Sequence, residues 1–482
     1  MAASSLFFYD LETSGINPRS SRIMQFAGQR TDLKLKPIGE PVNILIKLSD
    51  DILPEPNAIM ITGITPQQTK ADGITEAEFL KIFSHEIAIP GTIFTGFNNV
   101  RFDDEFMRFL NYRNFYDPYE WQWQDERSRW DILDVVRLTR ALRPDGITWP
   151  FDTDGKPSNR LEMLSSVNGL EHTDAHDALS DVRATIALAR LIYNKQNKLF
   201  EYLLSIRGKK AVADLVDSDQ PFVYASGKYS ADYQKTAVVT KIADHPTRQG
   251  ALVYDLRHDP NQYLRKTPSE LVELWRWKKD AIEPRLPIKT LQYNRVPAVA
   301  PLGVLDKDCQ KRLRIDLAIV KANRQKLSKA NDFKKNLLRA LEIMDKDQQT
   351  RLVATDTEVD AQLYDNFISR PDQIVMRAVR VAEPDDLNGF TNRLIDPRLK
   401  AILPLYKARN FPKSLSSEEL AEWERHRQQV LTGGGKQSRL ALFFARLEEI
   451  AKTKGISQEK RYLLEELHLY GESIMPVPDF VD

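Results

Sequence analysis

The stretch SLFFYDLETSG, residues 5–15, constrains the chain more than any other. Its run of large apolar residues suits an inner β-strand, yet Asp10 and Glu12 fall inside it two residues apart. Side chains of a strand alternate between faces, so the two acids emerge on the same side. Neighbouring carboxylates repel, and burying either without a counter-charge is costly. A fold built round this strand must therefore keep the acids apart or place something positive between them. A divalent cation is the natural partner, because hard cations such as Mg²⁺ take oxygen ligands and an Asp/Glu pair offers them. D-x-E is common by chance, so the reading depends on further acids arriving at the same place.

The chain of 482 residues is too long for a single core, and three textures divide it. Over 1–195 strand and helix signals alternate, which predicts an α/β layer fold, a mixed sheet flanked by helices on both faces. SLFFYDLET, IMQFAGQRT and VNILIKL lie close enough for an antiparallel meander, and GTIFTGFN reads as a short buried strand ending at Asn98. EAEFLKIFSHEIA, DDEFMRFLNYRNF, RWDILDVVRLTRAL and LSDVRATIALARLIYN carry helical spacing. Over 196–350, PFVYASG, KTAVVTKI and GALVYDL are short β signals between turns, and IKTLQYNRVPAVAP reads as a further β pair. Together they predict a small barrel or partly open sheet, decorated by the helix PSELVELWRWKKD. From about Leu305 onward, and throughout 351–482, helical periodicity dominates, with Ser or Asp at several starts and Gly or Pro after several ends.

Charge is distributed unevenly along these segments. Residues 1–195 hold 21 Lys and Arg against 28 Asp and Glu, and 196–350 hold 29 against 19. An acidic segment followed by a basic one suits two tasks, concentrating cations and holding a polyanion. The single cysteine, Cys309, excludes an intrachain disulfide and a cysteine-based metal site, and points to a reducing compartment. The start MAASSLFFYD has no basic segment before its four-residue apolar run, which is not the pattern of a secretory leader, and no apolar stretch approaches a membrane span. A soluble, cytoplasmic protein is expected.

Further acids do appear. GFNNVRFDDE places Asp103 where a helix follows a buried strand, and HTDAHDALSDVRAT places His176 and Asp181 at the head of a long helix. Each has a plainer use: Asp103 as a helix N-cap, Asp174 or Asp177 as the cap of the third segment, His176 as an exposed ring. Jointly these uses require several coincidences of spacing.

D-x-E-T-S-G on the first strand, N-x-x-x-F-D from Asn98 to Asp103, and H-x-x-x-x-D from His176 to Asp181 resemble the three motifs of the DEDD 3′→5′ exonuclease superfamily, histidine subtype. More closely, ITGITP, NNVRFDDE, YRNFYDPY, SRWDILDV, ALRPDGITWP, VDAQLY and ARNFP resemble the bacterial exonuclease I family, the last two far outside the nuclease segment. That resemblance implies a ribonuclease H-like nuclease domain over 1–195, an SH3-like basic domain with helical insertions over 196–350, and an all-helical C-terminal domain over 351–482. It implies hydrolysis of single-stranded DNA from the 3′ end, releasing 5′-mononucleotides processively in DNA repair and recombination.

Two Mg²⁺ ions held by Asp10, Glu12, Asp103 and Asp181 would stabilise the attacking and leaving oxygens, with Mn²⁺ able to substitute. Glu12 would also face the terminal nucleotide, and His176 would be the general base, since imidazole titrates near working pH. Arg160 is expected to fork onto a phosphate, and its plainer use is as a surface arginine at a helix start. Tyr119, Trp121, Trp123 and Trp130 crowd against Arg108, Arg113 and Arg129, a mixture suited to stacking on unpaired bases. Trp130 reads as core, and the resemblance singles out Arg108, Tyr119, Trp123 and Arg137 as strand contacts. Lys209, Lys210, Lys228, Lys235, Lys241, Arg248 and the WRWKK run, Trp275 to Lys279, are expected to track the backbone or to form a solvated face. A monomer is expected, with single-stranded DNA and the acidic C-terminal tail of single-stranded DNA-binding protein as partners. An exoribonuclease, a proofreading exonuclease and a non-catalytic strand-binding protein on the same fold are the competing readings.

Overall fold

The computed structural model describes residues 4–171, 177–276, 284–352 and 358–476. The apolar run forms an inner strand, β1 (Ser5–Thr13). β2 (Ile23–Thr31) and β3 (Val42–Leu45) follow as the expected antiparallel meander, and β4 (Thr92–Thr95) and β5 (Ser128–Arg129) add in parallel on the other side, giving the order β3-β2-β1-β4-β5. β4 stops at Thr95 rather than Asn98, because Asn98 adopts φ 71° and turns the chain toward the next helix. Gly96 makes that turn possible, since a Cβ there would lie 2.5 Å from the Tyr9 carbonyl oxygen.

β1 serves two cores. Phe7, Tyr9 and Leu11 pack with Phe26, Phe79, Phe83, Phe94 and Trp121 on one face, and Leu6 and Phe8 join Ile132, Val136, Val182 and Ile186 on the other. Each fully buried ring of this kind contributes about 1.5–3 kcal/mol. The covering helices are Ile132–Leu142 and Ala178–Lys195.

The helices Asn197–Ser205 and Lys209–Val216 lead into a second sheet of β6 (Phe222–Ala225), β7 (Thr236–Asp244), β8 (Gly250–Asp255), β9 (Ile288–Gln292) and β10 (Ala298–Pro301). The segment read as a β pair does form two strands, but they do not pair with each other: the order is β10-β6-β7-β8-β9. The edges of a flat five-stranded sheet lie about 19 Å apart. The link over 293–297 includes a 3₁₀ turn and Val296 at φ 47°, too contracted for that span. The sheet therefore curls into a partly open barrel.

Beyond it the chain is helical, with Arg370–Val379, Pro397–Asn410, Ser417–Thr432, Arg439–Ala451 and Gln458–Ser473 among its helices. Ser369, Asp396, Ser416, Ser438 and Ser457 each cap a helix through the side chain, the signal read from the sequence. These helices dock on the first sheet's periphery. Leu463, Leu464 and Leu467 meet Met24, Ile59 and Ile64, and Met376, Leu399 and Tyr406 meet Phe109, Tyr112 and Phe115.

A buried charge network fixes this docking. Arg22, at the mouth of β2, donates to Asp360 at 2.5 Å, and Arg409 reaches Asp360 at 2.9 Å and Asp51 at 2.7 Å. His426 also contacts Asp51, at 3.3 Å. Asp360 comes from VDAQLY and Arg409 from ARNFP, so these two distant peptides meet the first segment at one place.

Candidate active site

Asp10 and Glu12 continue the face of β1 that carries Leu6 and Phe8. Across the strand pair, Glu12 faces Gln25. The Gln25 side chain donates to Asp177 Oδ1 at 3.2 Å and accepts from the Ala178 N–H at 3.4 Å. Asp177 in turn caps the Ala178–Lys195 helix by accepting from the Ser180 N–H at 3.0 Å. The helix start is thus clasped over the acid pair, and Asp181 in its first turn joins them. One carboxylate oxygen each from Asp10, Glu12 and Asp181 lie within 4.8 Å of one another.

Asp177 is accordingly the helix cap, whereas Asp103 is not: Phe102 occupies the cap position, and Asp103 is the first residue of the Asp103–Arg113 helix. The turn before it is held by Asp131, whose Oδ1 accepts from the Asn98 N–H at 3.1 Å and whose Oδ2 meets Arg101 at 3.2 Å. Asp103 lies near enough to Asp10 to feel its charge, but outside the cluster formed by Asp10, Glu12 and Asp181. His176 lies outside the described residues.

Burial, then Asp181 and Asp177, push the Asp10 carboxyl well above the usual carboxylate range. Burial, then Asp10, Asp181 and Asp177, push Glu12 up to about 9. Burial followed by Asp10 raises Asp103 as well. Among the described residues, the charged neighbours that act most on Asp10 and Glu12 are themselves acids, Asp181 and Asp177 for both and Asp10 for Glu12. An all-carboxylate donor set in this state fits a hard divalent cation.

Two cavities matter here, and one of them reaches the acids. One of about 950 Å³ is lined by Asp10, Asp181, Asn98, Arg137, Arg160 and Lys235. Arg160 is exposed at the start of the Leu161–Val167 helix, facing this space. A second, of about 1000 Å³, holds Arg108, Tyr119 and Trp123 among Arg19, Arg101, Arg129, Arg207, Lys209 and Arg295. The expected strand contacts are therefore divided, with Arg137 and Arg160 beside the acids and Arg108, Tyr119 and Trp123 in the basic cleft. Asp134 links the two groups, since Arg101 grips its Oδ2 at 2.6 Å and Arg137 its Oδ1 at 2.6 Å.

The aromatic crowd separates by burial. Trp121 packs on Phe83 and Phe94, and Trp130 on Phe200, so both are core. Tyr119 and Trp123 remain exposed, with the Arg108 guanidinium 5.6 Å from the Tyr119 ring. Arg113 and Arg129 are buried partners of Glu76 and Asp104. Among the lysines, Lys241 is neutralised by Asp217 and Asp244, both at 2.6 Å, which removes it from any anion track. Lys228 is held down by burial and then by Arg101, Arg248, Arg285 and Arg295, a convergence of positive charge that suits a polyanion. Trp275 is buried in the core, and Trp277 to Lys279 lie outside the described residues.

Sequence reasoning passed over Gln25, Asp131 and Glu105. Gln25 carried a usable signal, a polar residue inside the apolar strand IMQFAGQRT. Glu105 carried none: Arg108 from its own helix at 2.6 Å, Arg295 at 2.9 Å and the Tyr364 hydroxyl converge on it from three parts of the chain.

Comparison with known proteins agrees with this geometry. Residues 7–189 match a family model described as Exonuclease, 207–342 the Exonuclease I SH3-like domain, and 357–474 the Exonuclease I C-terminal domain. The chain belongs to the exonuclease I family. A curated exonuclease I relative, exodeoxyribonuclease I of Haemophilus influenzae, is 38% identical over 478 residues, covering 98% of this chain and 99% of the relative. Escherichia coli exonuclease I in complex with a dA16 oligonucleotide superimposes with a TM-score of 0.90 at 37% identity, covering 98% of this chain and 100% of that one. An SSB/exonuclease I structure in complex with an inhibitor gives 0.87 at 37% identity, with 98% and 100% covered. Family membership accounts for the three textures together: an exonuclease sheet, a curled barrel and a helical C-terminal region. Among the described residues, no helix of this exonuclease I family member is long and apolar enough to cross a membrane.

Proposed function

We propose that the chain is a metal-dependent exodeoxyribonuclease that hydrolyses single-stranded DNA from the 3′ end and releases 5′-mononucleotides. The observation that carries this reading is the set Asp10, Glu12 and Asp181, one carboxylate oxygen of each gathered within 4.8 Å, with Asp10 and Asp181 lining a cavity that also holds Arg137 and Arg160. The E. coli neighbour in complex with dA16 supports the strand as substrate.

In this proposal Asp10, Glu12, Asp103 and Asp181 hold two Mg²⁺ ions. Such ions, when bound, would stabilise charge on the attacking and leaving oxygens of the phosphodiester. Arg160, exposed at the mouth of the acid cavity, forks onto the terminal phosphate, and Glu12 faces the last nucleotide. His176 takes the proton from the attacking water. Arg137 contacts the strand beside the acids, and Arg108, Tyr119 and Trp123 hold the unpaired bases further back. The nuclease domain is assigned to 1–195, the DNA-clamping domain to 196–350 and the helical domain to 351–482. The barrel's positive convergence round Lys228 tracks the backbone and keeps the strand between cuts, the basis assigned to processivity. A cytoplasmic monomer that docks the acidic tail of single-stranded DNA-binding protein completes the proposal, and the SSB/exonuclease I structure supports the choice of that partner.

The test is incubation of end-labelled single-stranded DNA, duplex DNA and RNA with Mg²⁺ or with EDTA. Stepwise mononucleotide release from the 3′ ends of DNA single strands, lost with EDTA, is the expected result. Preference for RNA would redirect the reading to an exoribonuclease, and no cleavage of any substrate would leave a binding protein. In the same assay His176→Ala should lower turnover by about 10²–10⁴-fold, the usual contribution of a positioned acid or base, while metal affinity measured by calorimetry stays near wild type. Turnover near wild type would remove His176 from the reaction.

A further inference from the structure

The connection between the helices Ile132–Leu142 and Leu161–Val167 runs over residues 143–160. Loops beyond roughly 12–15 residues are uncommon in compact domains and usually have a task of their own. The middle of this one is a narrow hairpin. Phe151 pairs with Pro157 across an antiparallel bridge, and the Ser158 N–H donates to the Pro150 carbonyl at 3.1 Å. At the tip, Asp152 Oδ1 accepts the N–H groups of Asp154 at 3.0 Å and Lys156 at 2.8 Å, and Gly155 makes the reversal at φ 71°. Residues 151–156 are exposed, so the hairpin adds little to the core.

One buried cation anchors it. Arg140, only 4% exposed, donates to the Pro150 carbonyl at 2.9 Å, to the Ser158 carbonyl at 2.5 Å and to Asn159 Oδ1 at 3.2 Å. The Trp149 and Phe151 rings stand 5.5 and 5.2 Å from its guanidinium. Among the described residues it has no carboxylate partner, and burial pulls its pKa down to about 10. A buried charge without a counter-charge is costly, and here it is offset by carbonyl dipoles and ring faces that the hairpin and its base supply. The hairpin is therefore a braced wall.

That wall belongs to the cavity that reaches the acids. Asp152, Thr153, Asp154 and Pro157 line it together with Asp10 and Asp181. The barrel closes a further side, where Gly227 lies so near Arg137 that a Cβ would come 2.9 Å from its guanidinium. At about 950 Å³ the space is in the range that encloses one small ligand, which suits the end of a strand better than a strand running through. Charge acts in the same direction. Of the residues in 152–163 that line the cavity, Arg160 is the one cation, against Asp152, Asp154 and Glu162. Lys156, 3.9 Å from Asp154, offsets part of this at the tip. Such a wall holds one phosphate at Arg160 and repels the next.

We propose that the hairpin over 150–158 is an end stop. It closes the acid cavity past the terminal nucleotide, so that only a strand with a free 3′ end brings a phosphodiester to the acids, and Arg140 is the positioning residue that holds the stop in place. This rests on the exodeoxyribonuclease reading given above. The restriction to ends needs such a cause, because metal-assisted hydrolysis finds its attacking and leaving oxygens at every phosphodiester.

The test offers circular single-stranded DNA, which has no 3′ end, and the same strand made linear, each with Mg²⁺. Wild type should degrade the linear strand and leave the circle intact. A variant with 152–156 replaced by Gly-Gly, a two-residue turn that can still close the Phe151–Pro157 pair, should degrade both, since one internal cut exposes an end. The replaced residues are exposed, so this variant should keep the Tm of wild type. Arg140→Met, which frees the full-length hairpin, should also consume the circle, more slowly. Adding Asp10→Asn to the Gly-Gly variant should protect the circle, which excludes a contaminating endonuclease. A folded variant that spares the circle, whether or not it still degrades the linear strand, would overturn the stop alone, as would wild type that consumes the circle. Wild type that degrades neither substrate would overturn the activity reading and the stop with it.

Discussion

Replacing Asp10 by asparagine should lower mononucleotide release by about 10³-fold or more, while leaving the metal-free protein as stable as wild type or slightly more so. The two effects have opposite signs for one reason. Asparagine keeps the shape of the side chain but removes the anionic oxygen on which a cation depends. The same change relieves the repulsion that Asp181 and Asp177 exert on Asp10 after burial has already penalised its charge. Thermal unfolding with and without Mg²⁺ separates these contributions: wild type should gain stability from the ion, and D10N should gain much less.

A pH dependence accompanies this. Glu12 in the folded protein is raised to about 9, above its unfolded value near 4.3. Between those values the folded state binds more protons than the unfolded one, so this group's contribution to stability is full below about pH 4 and is lost as pH rises toward about 9. Metal-free wild type should therefore lose Tm across that window, and Glu12→Gln should flatten the loss. A Tm profile of E12Q in EDTA that overlays wild type would refute the assignment.

The second large effect is expected far from the acids. Asp360→Asn leaves Arg22 and Arg409 buried without the carboxylate that both engage, at 2.5 and 2.9 Å. Breaking a buried pair in this way costs about 3–5 kcal/mol, because the surviving charges stay desolvated. The cost should appear as a lower Tm and as protease sensitivity between the helical C-terminal region and the nuclease sheet. It should also reach the site, because the Arg22 N–H donates to Ser14 Oγ at 2.8 Å, two residues past Glu12. The acid side of the pH profile follows the opposite rule to Glu12. Asp51 is held well below, and Asp360 lowered to about 2 despite burial, by Arg409 and Arg22. A depressed carboxyl contributes stability above its unfolded pKa near 3.9 and loses it as pH falls toward the folded value of about 2. Wild type should therefore show an acid limb below about pH 4 that is shallower in D360N, where Asp51 still contributes its part. An unchanged Tm in D360N would mean that the network does not hold the docking.

The carboxylates could be read from sequence because each lies in a local pattern: a period-two strand for Asp10 and Glu12, a strand-to-helix turn for Asp103, and a helix head for Asp181. The helical caps were legible for the same reason. What stayed hidden depends on partners distant in sequence. Arg22, Asp360 and Arg409 have no local signature of a network, and their family peptides acquired a physical meaning only when the fold brought them together. Lys241 looked like part of a basic track until Asp217 and Asp244 proved to be its partners. β9 and β10 read as a β pair because strand order is set by curling of the whole sheet, which no short window contains.

The clasp between Gln25 and Asp177 has a consequence for the protein during its synthesis. Its halves are 152 positions apart, and the helix it secures contributes the acid that joins Asp10 and Glu12. A polypeptide released before residue 177 would carry Asp10, Glu12 and Asp103 without Asp181 and without the anchor that brings it into place. An interrupted translation product therefore carries an incomplete set of acids, and under the proposed function it could not cut until the Ala178–Lys195 helix had been made.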